Sequence, residues 1–268
     1  MEKNRRDFIK IAGASAIALA TAPTMNAHAI GEHFIPDAQV KTDKAALTAK
    51  QWGMVIDLRK ITPEIMEKMQ EECNKVHNVP HFQEIRHEIK WIWEEHFSHA
   101  FTSDQNKYLS ESMQHAITPV LCNHCANPPC VKACPTKATF KREDGIVIMD
   151  FHRCIGCRFC MAACPYGSRS FNFQDPRNGL KDKKPTNPEF PTRMKGVVEK
   201  CNFCAERLAV GQMPICVEVS EGALVFGDIN DPKSTIREVL NTNFTIRRNP
   251  ALGTEPSVFY IAGGGENA

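Results

Sequence analysis

The stretch from Trp52 to Leu58 reads Trp-Gly-Met-Val-Ile-Asp-Leu, an apolar run that predicts a strand. Thr62-Pro63 follows, with a capping hydroxyl and a proline suited to the first helical position, so a helix is predicted to begin there. Ile65, Met66, Met69, Cys73 and Val76 recur at helical spacing and mark its inner face. Between His81 and Phe101 the pattern is mixed. Ile85, Ile89 and Ile92 suit a helix, whereas Ile89, Trp91 and Trp93 alternate as in a strand, and the strand is the reading adopted. Ala138 to Lys141 and Ile146 to Met149 flank Glu143-Asp144-Gly145 and predict a short hairpin. Residues 174–191 turn polar and proline-rich, as in a loop. Met194 to Glu199 predicts a strand, Cys204 to Val210 a helix stopping at Gly211, and Ala223 to Gly227 another strand. Asp231-Pro232 then opens a last helix reaching about Leu240. Short strands, hairpins and helices in this mixture predict an α+β fold.

The first thirty residues stand apart. Asn4-Arg5-Arg6-Asp7-Phe8-Ile9-Lys10, an apolar stretch from Ile11 to Ala22, and Ala27-His28-Ala29 read together as a twin-arginine export signal over residues 1–29. That reading places the protein in the periplasm. The apolar stretch is shorter than the roughly 20 residues that span a bilayer. Residues 30–50 read as an N-terminal lead-in. Removing residues 1–29 takes four of the 33 Lys and Arg and two of the 31 Asp and Glu, leaving 29 of each. A formally neutral chain offers no basic stripe for nucleic acid. No later apolar run suggests a transmembrane helix, so membrane association is expected through partners.

The chemistry lies in the twelve cysteines. Eleven fall into three runs: Cys122-x2-Cys125-x4-Cys130-x3-Cys134-Pro135, Cys154-x2-Cys157-x2-Cys160-x3-Cys164-Pro165, and Cys201-x2-Cys204-x11-Cys216. The middle run is the bacterial iron–sulfur pattern, whose fourth cysteine serves the neighbouring cluster. Cross-ligation then predicts a first cluster on Cys122, Cys125, Cys130 and Cys164, and a second on Cys154, Cys157, Cys160 and Cys134. A disulfide framework, zinc and covalent haem fit less well. The cysteines are clustered as iron–sulfur loops are, four within eleven residues is too dense for paired zinc C-x2-C motifs, and no C-x2-C is followed by His.

The third run lacks a fourth cysteine, because Ser220 stands at that position. Only Cys73 is left over. If residues 61–72 are a degenerate loop that has lost its three leading cysteines, Cys73 is the trailing ligand lent to the third run, and Ser220 marks the ligand no longer needed. A third cluster on Cys201, Cys204, Cys216 and Cys73 follows, giving three [4Fe–4S] clusters in all. Gly156 and Gly167 are expected to let backbone approach sulfide. Lys132, Arg153, Arg158, Arg169, Lys200 and Arg207 lie near ligands and are read as solvated, and His124 as a packing or hydrogen-bonding residue. No nucleophile–base set, phosphate loop or carboxylate pair stands out, and no catalytic residue is predicted.

Cys122-Asn-His-Cys-Ala-Asn-Pro-Pro-Cys, Cys154-Ile-Gly-Cys-Arg-Phe-Cys, Cys201-Asn-Phe-Cys-Ala-Glu-Arg-Leu and Ala223-Leu-Val-Phe-Gly-Asp resemble a known family. It is that of the four-cluster ferredoxin-like electron-transfer subunits of dimethyl-sulfoxide, polysulfide and formate-dependent nitrite reductases. The likeness covers roughly residues 50–262 and departs where the leading cysteines are gone. It implies two pseudo-symmetric ferredoxin-like modules, the degenerate one from residues 51–120 and 192–262 with one cluster. The other, residues 121–191, would hold two clusters and carry the polar loop 174–191. Export with three clusters most resembles the periplasmic iron–sulfur subunit of the transmembrane complex linked to dissimilatory sulfite reductase. The resemblance implies an electron-transfer subunit, not itself an enzyme. It would relay electrons between a quinone-interacting membrane subunit and a periplasmic c-type cytochrome in sulfur or sulfite respiration. The alternative is the electron-transfer subunit of a periplasmic molybdenum reductase or hydrogenase.

Overall fold

Strand β1 (Trp52–Asp57) is buried along its whole length, as suits an apolar run with both faces covered. The computed structural model to which it belongs describes residues 44–103 and 107–262; the export-signal reading and the lead-in up to residue 43 lie outside them. Helix α1 (Pro63–Val76) starts as the sequence predicts: the Thr62 hydroxyl accepts from the Ile65 amide at 3.3 Å, and Pro63 opens the first turn. Met66, Met69 and Cys73 form its buried stripe. The helix ends at His77, and Asn78 turns the chain at φ 50°.

The ambiguous stretch resolves late. β2 (Ile92–His96) begins three residues after Ile89, and Ile85–His87 is a 3-10 turn. It runs into the short helix α2 (Phe97–Ala100), and α3 (Glu111–Gln114) precedes β3 (Ile117–Leu121), which pairs antiparallel with β2 and delivers the chain to Cys122. After α4 (Pro129–Lys132), β4 (Thr139–Lys141) and β5 (Val147–Met149) make the expected hairpin. α5 (Phe159–Ala162) leads to β6 (Ser170–Phe171). The polar segment that follows holds only two 3-10 turns, at Pro176–Gly179 and Lys181–Lys183.

Of the strand predicted over Met194 to Glu199, only β7 (Val198–Glu199) forms, because its partner β6 is two residues long. Helices α6 (Ala205–Leu208) and α7 (Ile215–Glu218) precede β8 (Leu224–Asp228). The last helix, α8 (Thr235–Thr242), begins later than Asp231-Pro232 suggests. Asp231 caps a turn instead, its side chain accepting from the Lys233 amide at 2.9 Å, and Ser234 is the true N-cap. β9 (Val258–Ile261) closes the chain onto β1.

The main sheet has the order β8-β1-β9, antiparallel on one side of β1 and parallel on the other. It joins segments from both ends of the described chain, while the cysteine runs lie between them. The chain is thus a mixed α and β protein with small sheets. The large core beneath this sheet takes in Met66, Met69, Trp91, Phe203 and Tyr260 together with Cys73, Cys122, Cys201 and Cys216. A smaller one packs Val147 and Val198 with Cys130 and Cys160.

Ser220 has a structural task. Fully buried, it donates to the Val217 carbonyl at 2.8 Å and accepts from the Leu224 amide at 3.1 Å, tying α7 to β8. Ser220→Ala leaves a buried amide without an acceptor and is expected to cost about 1–3 kcal/mol. Chemical denaturation should register that loss while the visible and EPR spectra stay unchanged.

Candidate metal centres

The three C-x2-C loops share one backbone device. The residue before the second cysteine is left-handed in each: His124 at φ 41°, Gly156 at 71° and Phe203 at 55°. This turn doubles the chain back so that two thiols face one centre. Each run then places its third cysteine second in a four-residue helix: Cys130 in α4, Cys160 in α5 and Cys216 in α7. Prolines at Pro128 and Pro214 fix the entry into two of these helices.

Gly156 shows why the middle loop needs glycine. A Cβ there would lie 2.4 Å from the Gly196 carbonyl oxygen, so the close approach is to backbone rather than to sulfide. Gly167 at φ 64° has open space around it. Gly156→Ala is expected to displace the loop carrying Cys154 and Cys157, removing about a third of the iron; metal analysis checks this.

Cys122, Cys125, Cys130 and Cys164 line one cavity together with Pro128, Pro129 and Arg169. Burial pushes the Cys125 thiol up to about 12, and the charges of Cys122, Cys130 and Cys164 add to the effect. Cys73, distant in sequence, stands within electrostatic reach of Cys201 and Cys216. Burial chiefly, then those two thiolates, raise its pKa well above the ordinary thiol value. Cys204 is raised in the same way, by burial and then by Cys216, Cys73 and Cys201. Cys216 is pushed to about 12, mainly by burial. Cys154 and Cys134 pack beside Cys160 in the smaller core. Cys134, Cys154 and Cys157 are only half-buried, so this group is the most open to solvent. Burial works to raise Cys134, but amide hydrogen bonds from Thr139, Thr136 and Ala138 and the Thr136 hydroxyl outweigh it and lower its pKa. All twelve cysteines are free.

Two of the six basic side chains read as solvated are buried. Arg169 is 5% exposed and Lys200 2%. Arg169 donates to the Thr139 hydroxyl at 2.9 Å, and Lys200 to the carbonyls of Cys201, at 2.8 Å, and Val147. Neither is paired with a carboxylate among the described residues. A buried cation without an anion is strongly unfavourable, so each implies negative charge nearby. Thiols held together in a dry interior keep their protons unless a metal takes the thiolates. All-thiol groups flanked by unpaired cations therefore fit [4Fe–4S] groups, which carry net negative charge when ligated by four thiolates. The remaining four behave otherwise: Lys132, Arg153 and Arg158 are exposed, and Arg207 pairs with Glu218 at 2.7 Å.

The residues that sequence reasoning missed are His77 and Glu206. His77 lies fully buried against Trp91, ring centroids 4.5 Å apart, with its Nδ1 3.6 Å from Cys73 Sγ. Its Nε2 meets Glu206 at 2.8 Å, and potential ligand atoms of His77, Cys204 and Glu206 all lie within 4.8 Å of one another. A histidine one helical turn beyond Cys73 was the available signal. His124 packs as predicted: it stacks on Phe203 at 3.6 Å, and its Nδ1 accepts from the Val147 amide at 3.1 Å. Burial, then Lys200 and Arg169, hold it well below the usual imidazole range and therefore neutral.

Comparison with known proteins agrees with this chemistry. A 4Fe-4S dicluster domain matches residues 113–183. The chain is 41% identical to the Hdr-like menaquinol oxidoreductase iron-sulfur subunit 1 of Archaeoglobus fulgidus, over 98% of this chain and 99% of that protein. It belongs to the family of iron–sulfur electron-transfer subunits of oxidoreductase complexes. Another relative in that family is the menaquinone reductase iron-sulfur cluster-binding subunit of Nitratidesulfovibrio vulgaris, 35% identical over 79% of this chain and 89% of the relative. A tetrathionate reductase subunit of Salmonella typhimurium is 39% identical, but over 60% of each chain only. As an iron–sulfur subunit, the protein carries electrons within a larger complex and is not itself the catalyst. No helix among the described residues is long and apolar enough to cross a membrane.

Proposed function

We propose that this subunit holds three [4Fe–4S] clusters and relays single electrons between a quinone-interacting membrane subunit and a periplasmic redox partner such as a c-type cytochrome. The ligands would be Cys122, Cys125, Cys130 and Cys164 for the first, Cys154, Cys157, Cys160 and Cys134 for the second, and Cys201, Cys204, Cys216 and Cys73 for the third. The observation that carries this reading is the packing of Cys73 on α1 into one buried core with Cys201 and Cys216, which supports a third group of four thiols. Bound clusters supply one-electron carriers. The chain supplies burial, cations and rigid loops around them.

Two pseudo-symmetric ferredoxin-like modules account for the recurrence of loop and helix. Residues 121–191 would form one, with the polar loop 174–191, and residues 51–120 with 192–262 the other. The sheet β8-β1-β9, built from the two ends of the described chain, supports that division. The quinone-side partner is favoured because the relatives matched over most of their length are named for menaquinol and menaquinone. Export to the periplasm rests on the twin-arginine pattern at residues 1–29, and a role in sulfur or sulfite respiration on the family resemblance. Relatives named for tetrathionate and selenate reductases favour the second reading, a subunit of a molybdenum reductase, but they match only part of the chain.

Iron and sulfide analysis with EPR of the reduced protein tests the inventory: roughly twelve irons and twelve sulfides per chain are expected, four of each per cluster. Eight of each, or zinc, would overturn it. Copurification with a polytopic membrane protein separates the first reading from the second.

A further inference from the structure

We propose that the Arg169 guanidinium is a counter-cation shared by the first two clusters, a positioning residue that holds both their reduction potentials up. The inference rests on the three-cluster reading above. Arg169 stands between Cys164 and β6, buried, and lines the cavity of Cys122, Cys125, Cys130 and Cys164. Its Nη1 approaches Met149, which packs with Cys130 of the first group and Cys160 of the second in the smaller core, and its charge acts on both thiols.

The neighbouring hydroxyl aims the fork. Thr139 Oγ1 donates to the Ile148 carbonyl at 3.0 Å, which leaves its lone pairs to accept Arg169 Nη2 at 2.9 Å. Nη1 lies 3.9 Å from the Met149 sulfur. These partners include no carboxylate; the negative charges that act on this cation are those of the Cys130, Cys160 and Cys122 thiolates. A planar guanidinium spreads its charge over five donors in one fixed fork, whereas an ammonium is a compact point charge. Lys200 illustrates the difference: its ammonium bonds two carbonyls rather than sulfur.

An electron added to either cluster adds negative charge beside the guanidinium. The reduced form of each is therefore stabilised by the same group, through its charge. The third group, Cys73 with Cys201, Cys204 and Cys216, has Arg193 and Lys200 as its nearby cations instead.

The test is an EPR-monitored redox titration of the full-length, cluster-loaded protein and its Arg169→Gln and Arg169→Lys variants, after iron and sulfide have been counted. Arg169→Gln should shift the reduced-to-oxidised ratio of the first two clusters at least tenfold toward the oxidised form, about 59 mV for a one-electron couple, and leave the third unmoved. Unmoved potentials with full iron, or equal shifts in all three clusters, overturn the proposal. If the glutamine variant loses iron, the lysine variant decides. It keeps the charge but as a compact point that cannot sit beside both clusters as the spread guanidinium does, so at least one of the two potentials should fall while the third holds. No shift in either, or iron lost from both variants, overturns the role assigned. An unsubstituted protein lacking three clusters would sink the functional reading itself, a result distinguishable from any of these.

Discussion

Replacing Cys73 with alanine is expected to remove the third cluster and leave the other two in place. The iron content should fall by about a third, and one of three EPR signals should vanish. The reasoning is local. Cys73 sits on the inner face of α1 beside Met66 and Met69, and alanine is the best helix former, so the helix itself should survive the change. The thiols of residues 122–164 are held by other elements: the loop after β3, α4, the β4–β5 hairpin and α5. Of these, Cys122 alone shares the large core with α1, and it is held by the loop after β3. Cys201, Cys204 and Cys216 would be left as three buried thiols whose burial favours the protonated form, a set that releases metal readily. His77 stays beside the gap and offers no thiolate in exchange. Metal analysis and EPR of the reduced variant decide the matter. Three undiminished signals would break the pairing of Cys73 with the late cysteines, and with it the count of three clusters.

That pairing could be proposed from sequence because a count of cysteines is insensitive to the path of the chain. Local signals served as well: Thr62-Pro63 fixed the start of α1, and Glu143-Asp144-Gly145 fixed the hairpin, since capping and turn chemistry act over a few residues. Other features depend on what lies across the fold. β2 starts at Ile92 rather than Ile89 because pairing with β3 begins opposite Leu121. Asp231 and Ser234 are both good caps, and only the turn between them settles which one starts α8. Arg169 and Lys200 look like ordinary surface cations in sequence, for burial of a charge is decided by distant partners. His77 gave a pattern, one turn after Cys73, but its role depends on Glu206, 129 residues away.

The fully buried ion pair of Arg193 and Glu199, 2.6 Å apart, supports the third site from behind, and its disruption should be the costliest change outside the cysteines. Glu199 accepts from Trp91 Nε1 at 2.8 Å and from Asn172 at 2.6 Å. Arg193 donates to the carbonyls of His77 and Asn78, the last at 3.0 Å, and lies over the Trp91 ring at 5.4 Å. The pair thereby fastens the C-terminal end of α1, one turn from Cys73, to β7. Arg193→Met leaves a carboxylate in a dry interior, and Glu199→Leu leaves a guanidinium there. Each is expected to destabilise the fold by about 3–5 kcal/mol, because the cost is that of an uncompensated charge. Changing both partners removes that charge imbalance, so Arg193→Met with Glu199→Leu should cost less than the sum of the single changes. The double variant still strands the Trp91 and Asn172 donors, at about 1–3 kcal/mol each, so full recovery is not expected. Urea unfolding of the cluster-loaded protein, read as a double-mutant cycle, measures the coupling. Additive losses would show that the two charges do not depend on each other, whereas a coupling of several kcal/mol would place this pair among the main restraints on the helix that presents Cys73.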